Sequence, residues 1–403
     1  MKILFVTGTY LPIKNGGIEN YTHQLALLLL QNDFGVEVAA LDVGDKDVIF
    51  YEGIKVNNLR GSSSKFNDLL CIENYDICHF HEYSAFGGIE LHWFKMAKEK
   101  CKKVYFTFHL PYFTCYKNDF RYNGQSDCDV FNDAKRCTNC IISEKQKLHH
   151  LDQSYVTAKL VNAFLVFTGK KQKLNRNILV HHHKLTELID YCDSVFLIAG
   201  WFKNILENNG YKNNKLKLIS NNLNMEFEPA NKCNNILKKK LIFVGRIQHQ
   251  KGLHLLCEAM SMLKTNFLEI DVFGNIVDEK YFAECKLKYS YNYKGIIARQ
   301  QLLKLLQEYD FLILPSMFTE MYPMVIQEAF HLNLPVIASA AKGNKDAIKD
   351  GVNGFLFEYD NAKDLARTID KAYHLKLNGW EPEFKKNGNP EKNIEEMLSY
   401  YVV

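Results

Sequence analysis

Apolar runs without polar alternation recur along the 403-residue chain, each followed by a stretch of helical period. "KILFVTG" leads into the amphipathic "ENYTHQLALLLLQN". "GVEVAALDV", "YDICHFHE", "KKVYFTFHLP" and "CDSVFLIAG" come next, then the helical "WFKNILENNG" and "KLKLISNN". Strands that are apolar on both faces predict a parallel sheet covered by helices on either side. The rhythm breaks at 224–240, "NMEFEPANKCNNILKKK", where Pro229 and the Asn/Lys content mark a linker. It restarts with "KLIFVGR", helical "KGLHLLCEAMSMLK", "FLEIDVFG", helical "RQQLLKLLQEY", "DFLILPS", "LPVIAS", "NGFLFE" and helical "AKDLARTIDKAYHL". The expected fold class is α/β: two Rossmann-like doubly wound domains with a cleft between them, over residues 1–223 and 240–375. A helical segment at 376–403 is expected to pack back on the first domain. Open sheets of this kind bind ligands outside the carboxyl ends of their strands, so the residues just past each strand are the ones to examine.

Length and composition agree with two soluble domains, because one core rarely grows past about 300 residues. Apolar residues make up 47% and charged residues 24%. A net charge of +4 with no dense Lys/Arg tract gives no footing for nucleic acid. The opening "MKILFVTGTYLP" lacks the small-residue cleavage site of a signal peptide, and no run approaches the ~18 apolar residues of a spanning helix. A cytoplasmic chain is expected.

The unusual residues fall after strands. Gly16 and Gly17 stand before the first helix, where glycine lets a backbone approach closely and free N–H groups suit an anion. "VGRIQHQKG" puts Arg246 and Lys251 beside the start of the next helix, a planar fork and a mobile point charge suited to a diphosphate. In "FTEMYPMVIQEAF", Pro323 opens a helix and leaves the N–H groups of Met324, Val325 and Ile326 unpaired. Glu328 follows about 7 Å further along that helix at ~1.5 Å per residue, and Glu320 precedes it in the loop. Each feature alone also fits a solvated turn or helix face. Their joint placement favours a phosphate at the helix start, a ribose beside Glu328 and a sugar near Glu320.

"GGIENY", "VGRIQHQKG", the spaced Glu320 and Glu328, and "GVNGFLF" together resemble the retaining GT-B glycosyltransferases of family 4. The resemblance spans nearly the whole chain and is strongest over 241–370. It implies a nucleotide-diphosphate sugar donor of UDP or GDP type, held at its diphosphate by Arg246 and Lys251 and at its ribose by Glu328. Glu320 would contact the transferred sugar, Gly16 and Gly17 would bring backbone donors to phosphate and acceptor, and His109 of "FTFHLP" would line the sugar pocket. It implies same-face attack without a catalytic metal, and a glycan or lipid-linked glycan acceptor in surface polysaccharide or glycoconjugate assembly. Departures are Met321 where the family commonly has glycine, "FGN" at 273–275 and "SNN" at 220–222. A nucleotide-sugar 2-epimerase of the same fold and a non-catalytic nucleotide-sugar-binding subunit are the rival readings.

Eleven cysteines are present, and four of them cluster in an insert at 112–145: Cys115, Cys128, Cys137 and Cys140. Four thiols in a polar loop suit a structural zinc ion, with disulfides or plain thiols as alternatives. Finally, "VNAFLVFTGKKQKLNRNILVHHHKL" at 161–185 joins an apolar to a basic run. It fits a solvated face, or peripheral docking on an anionic membrane surface.

Overall fold

A computed structural model describes residues 1–14, 16–83, 88–148, 166–212, 214–219, 240–263, 268–384 and 390–402. The chain divides into two compact units, Met1–Asn224 with Asn389–Val403, and Met225–Gly388. The expected linker at 224–240 lies outside the described residues apart from Lys240, which begins a strand.

The first unit is built on an eight-stranded sheet. In spatial order its strands are Leu216–Leu218, Ser194–Leu197, Lys103–Phe108, Ile77–Phe80, Lys2–Thr9, Gly35–Asp42, Ile54–Asn58 and Val48–Tyr51. All neighbours are parallel except the last pair, an edge hairpin. Glu52 and Gly53 turn that hairpin with positive φ of 46° and 82°, the conformation a tight two-residue hairpin turn requires. The central strand, Lys2–Thr9, buries Ile3 through Val6 completely, as a strand covered on both faces must. Helices Gly17–Gln31, Ser63–Ile72, Leu91–Lys100 and Lys170–Tyr191 belong to this unit. So does the C-terminal helix Pro390–Ser399: the Tyr401 that follows it is fully buried, and its hydroxyl lies 2.5 Å from His79 Nδ1.

The second unit carries six parallel strands in the order Asn292–Gly295, Glu269–Phe273, Lys240–Val244, Phe311–Leu314, Val336–Ser339 and Gly354–Phe357. Continuous apolarity in these strands is a two-sided requirement. Leu241 and Phe243 pack into one core cluster and Ile242 into another; Phe311 and Ile313 part from Leu312 and Leu314 in the same way. Each fully buried side chain of this size stabilises by roughly 1.5–3 kcal/mol relative to exposure. Trp380 packs on Phe355 at 4.9 Å between ring centroids and donates its indole N–H to the Gly351 carbonyl at 2.9 Å. The chain just past helix Ala362–Leu377 therefore stays with the second unit.

Candidate functional site

In the second unit the first strand ends at Val244, and Gly245 and Arg246 follow. The Arg246 side chain is exposed and makes no ion pair among the described residues. The chain then tightens into a 3-10 turn, His249–Lys251, closed by Gly252 at φ +75°. A Cβ at Gly252 would lie 1.9 Å from the Pro315 carbonyl oxygen, so only glycine lets this loop seat against the neighbouring strand end. Met317 N–H donates to the Gln250 carbonyl at 2.7 Å and locks the two loops together. The result is an ion pair: Lys251 Nζ stands 2.7 Å from Glu320 Oε1 and 4.7 Å from the Phe318 ring centroid.

Glu320 is fixed from several directions. Ser316 Oγ donates to its Oε1 at 3.1 Å, and a Cβ at Gly343 would fall 1.9 Å from its carbonyl oxygen. Behind Ser316 runs a buried chain: Ser339 Oγ donates to the Ser316 carbonyl at 2.6 Å, and Asn344 Nδ2 to the Ser339 carbonyl at 2.9 Å. Four residues after Glu320, the helix Met324–His331 starts, with Pro323 as its N-cap. One expectation needs correcting here. Ile326 N–H is already paired, donating to the Pro323 carbonyl at 3.0 Å, because the first turn is tight; the open helix start consists of Met324 and Val325. Glu328 is buried on this helix and accepts from Arg299 Nε at 2.7 Å. Burial pushes its carboxyl above the usual range, and the Arg299 guanidinium opposes that shift.

The first unit places a different set of groups past its strands. The Gly17–Gln31 helix begins two residues before Glu19, with Gly16 as an extended N-cap. Glu19 is almost fully buried, accepts from Thr9 Oγ1 at 2.6 Å and pairs with Lys14 Nζ at 2.9 Å. A Cβ on Gly16 would meet Glu19 Oε2 at 2.4 Å, so the glycine makes room for that carboxylate. Glu82 accepts from Gly8 N–H at 2.9 Å, and burial raises its carboxyl above the usual range. His109 is buried, sits 4.9 Å from the Tyr21 ring, and shares a hydrogen bond with His81 at 3.3 Å (Nε2 to Nδ1). Burial drives the His109 imidazole down to about 3, so it is neutral near pH 7. Among the described residues, the buried atoms of this unit that lack a hydrogen-bond partner include His81 Nε2, Tyr21 Oη and Thr7 Oγ1.

Cys115, Cys128, Cys137 and Cys140 line one small cavity, although among the described residues no ready-made metal cage is formed. The insert is less polar than its sequence suggests, since Phe113, Phe120 and Phe131 are buried. The histidine run splits: His181 packs on Phe113 and Tyr116, His182 on Phe131, and His183 lies exposed 3.8 Å from Glu187. Residues 161–165 of the apolar-basic stretch lie outside the described residues. Phe167 just before helix Lys170–Tyr191 is 91% exposed, and Leu179 and Val180 on it are also exposed. Among the described residues no helix is long and apolar enough to cross a membrane.

Within the second unit, then, Lys251 and Glu320 are brought together, Glu328 is paired with a residue not singled out beforehand, and Arg246 makes no ion pair among the described residues. Arg299, Ser316, Ser339 and Asn344 were missed, as were Glu19, Glu82 and His81 in the first unit. Ser316 and Ser339 had a signal, because both close apolar strands, "DFLILPS" and "LPVIAS".

Residues 224–396 match the family model described as glycosyl transferases group 1. An uncharacterized 41.2 kDa protein in the cps region of Klebsiella pneumoniae is 27% identical over 169 residues, 40% of this chain and 46% of that protein. A glycogen synthase of Xanthomonas campestris pv. campestris is 32% identical over 139 residues, 32% of this chain and 28% of that protein. The chain thus spans less than half the length of these curated relatives. HepE of Anabaena, solved with UDP and glucose, superposes with a TM-score of 0.60 at 14% identity, covering 100% of this chain and 99% of that one. This likeness shows the fold, that of the GT-B glycosyltransferases. The family match lies mostly within the second unit.

Proposed function

We propose that this chain is a retaining glycosyltransferase of family 4. It would move a hexose-type sugar from a nucleotide-diphosphate sugar to a glycan or lipid-linked glycan. The observation that carries the reading is the Lys251–Glu320 ion pair, held by glycine-dependent loop contacts at the carboxyl end of a parallel sheet, on the loop that also bears Arg246, a cation with no ion pair among the described residues. Arg246 and Lys251 offer the charge-assisted donors that a diphosphate needs, and the helix start at Met324 and Val325 adds backbone N–H groups and a favourable dipole. Glu328, oriented by Arg299, takes the ribose hydroxyls. Gly16 and Gly17 give the backbone approach in the first unit, and neutral His109 can both donate to and accept from sugar hydroxyls.

In the step itself, the bond from the sugar's anomeric carbon to the β-phosphate oxygen breaks. The acceptor oxygen bonds to that carbon on the same face, and its proton passes to the departing phosphate. Charge then builds on the diphosphate, where Lys251 and Arg246 stabilise it without a divalent ion. Glu320 positions Lys251 and lies beside the sugar. The relative from a Klebsiella cps region and the HepE complex with UDP support a UDP-type donor and a polysaccharide setting. The exposed Phe167 before the basic helix supports peripheral contact with a membrane surface.

The test is a panel of UDP- and GDP-sugars, read by melting temperature and by turnover with EDTA present. A selective melting shift with a UDP-sugar, together with turnover whose product keeps the donor's anomeric configuration by NMR, is the expected result. Binding without turnover on any acceptor would instead identify a nucleotide-sugar-binding subunit, and epimerised donor an isomerase. No melting shift with any nucleoside diphosphate would overturn the diphosphate assignment itself.

A further inference from the structure

The cysteine insert is the largest feature that sugar transfer does not use. Four thiols converge on it from three directions. Cys115 and Cys128 flank the small hairpin of Arg121–Tyr122 and Ser126–Asp127, while Cys137 and Cys140 stand one turn apart on helix Ala134–Leu148. All four line a single cavity of about 20 Å³, the room of one small guest.

Their present hydrogen bonds are weak and point to whatever oxygen is near. Cys128 Sγ donates to the Val130 carbonyl at 3.2 Å and Cys140 Sγ to the Arg121 carbonyl at 3.6 Å. Cys137 Sγ reaches the Phe131 carbonyl, and Cys115 Sγ the Asp119 carboxylate, only at 3.7 Å. In the opposite sense, Asn123 N–H donates to Cys140 Sγ at 3.2 Å, the kind of outer contact that supports a metal-bound thiolate. Lys117, Arg121 and Arg136 line the same cavity. Lys117 pairs with Asp119 and Glu144 and Arg121 with Asp127, while Arg136 lies 4.5 Å over the Tyr122 ring and makes no ion pair among the described residues. Four thiolates and one divalent ion would carry a net charge of about −2, and Arg136 is the cation placed to offset part of it.

The local backbone also asks for a fastener. Asn118, Phe120 and Asn123 all hold positive φ, of 59°, 51° and 52°, each a conformation that costs a non-glycine residue free energy. The apolar cluster that joins the insert to helix Lys170–Tyr191 is small, its buried members being Ala134, Ile141 and Ile178.

We propose that Cys115, Cys128, Cys137 and Cys140 bind one zinc ion, which closes the insert onto helix Ala134–Leu148 and fixes the loop that follows His109. Zinc fits because four sulfur ligands select a soft ion in tetrahedral geometry. On binding, four S–H bonds give up their protons to solvent and four Zn–S bonds form. Each thiolate, no longer a donor, is released from its carbonyl or carboxylate and turns inward.

The full chain, purified without a metal-affinity tag, should carry one zinc per chain by elemental analysis. Cobalt in its place should give thiolate-to-cobalt charge-transfer bands and the visible spectrum of a tetrahedral site. Cys137→Ser/Cys140→Ser should lose the metal and melt lower, whereas Cys71→Ser, at an exposed cysteine outside the insert, should keep both. If the double variant fails to fold, the single Cys128→His decides: retained stoichiometry with a shifted cobalt spectrum supports the site. Wild-type chain with negligible zinc and no cobalt spectrum overturns the proposal, as does a Cys137–Cys140 disulfide found by mass spectrometry in chain kept under reducing conditions.

Discussion

Two largely parallel sheets of similar make put different electrostatics beyond their strand ends. Past the strands of the second unit stand charges: exposed Arg246, Lys251 against Glu320, Arg299 against Glu328. Past those of the first stand the neutral, buried imidazoles His81 and His109, bonded to each other, with His79 in the strand behind them bonded to Tyr401 and Thr107. The charged groups there, Glu19 with Lys14, and Glu82, are drawn back against the backbone. The sheets supply only position; the loops decide whether a site presents fixed charge or uncharged donors and acceptors. On the proposed reading, this is the split between holding a diphosphate and holding sugar hydroxyls.

The largest break in that comparison should come at Lys251. Lys251→Ala is expected to lower turnover by about 10²–10³-fold, as removal of one main stabilising donor does. It also strands the Glu320 carboxylate, so the melting temperature should fall. Lys251→Ala/Glu320→Gln removes the stranded charge and should recover melting without recovering turnover. If the double variant regains turnover as well, Lys251 acts on the fold and not on the diphosphate.

Next in size is a pair of glycines with nearly the same φ in different surroundings. At Gly252 an added Cβ meets the Pro315 carbonyl oxygen at 1.9 Å; at Gly53 nothing lies within 4 Å. Gly53→Ala should cost only the backbone strain, about 1–2 kcal/mol. Gly252→Ala adds a steric overlap that the backbone must move to relieve, so about 3 kcal/mol or more is expected. Urea midpoints of the two variants check the ordering, and equal shifts would show that the Gln250–Gly252 loop is not packed as described.

These contrasts bear on what the sequence could disclose. Strands were legible because a two-sided core demands continuous apolar runs, as in "FLIL" and "VIAS". The edge hairpin at 48–58 was not, because its outer strand is only four residues long and its turn uses Glu52 where asparagine or glycine is the usual sign. Lys251 and Glu320 were each legible as a residue past a strand, but their pairing joins positions 69 apart and depends on Gly252. His79 and Tyr401 are 322 positions apart, a distance at which only the fold can reveal a partner. Glu19 was hidden for another reason: an acid in a helix's first turn is commonplace, and nothing local signals that Gly16 leaves space for it.

Acid should separate the two units by a smaller margin. For His109 the folded value of about 3 lies below the unfolded value near 6.5. Its contribution is therefore complete above pH ~6.5 and is lost as pH falls toward 3, by up to about 1.4 kcal/mol per pH unit. Burial pushes His79 and His81 in the same direction. Raised carboxyls work in the opposite sense as pH falls, Glu82 in the first unit and both Glu328 and Asp346 in the second, where His254 is driven down to about 4. Hydrogen exchange corrected for its intrinsic pH dependence should show strand Lys103–Phe108 losing protection between pH 7 and 5 sooner than strand Phe311–Leu314. Parallel loss in both strands would mean that the histidine cluster carries no special burden.

The smallest effect on folding is expected at Arg246, and that is why it tests the comparison most directly. The side chain is exposed and makes no ion pair among the described residues, so Arg246→Ala should change stability by no more than about 0.5 kcal/mol. A charge-assisted hydrogen bond to a bound anion is worth roughly 1.5 kcal/mol or more, so affinity for a nucleoside diphosphate should drop at least about tenfold. Calorimetry with UDP and GDP measures that loss, while a urea titration measures stability on the same sample. Affinity that stays unchanged would remove Arg246 from the diphosphate and leave Lys251 as the sole cation assigned there. A large fall in stability would instead mean that the guanidinium serves the fold, and that the charged strand ends of the second unit are no more free for a ligand than the imidazoles of the first.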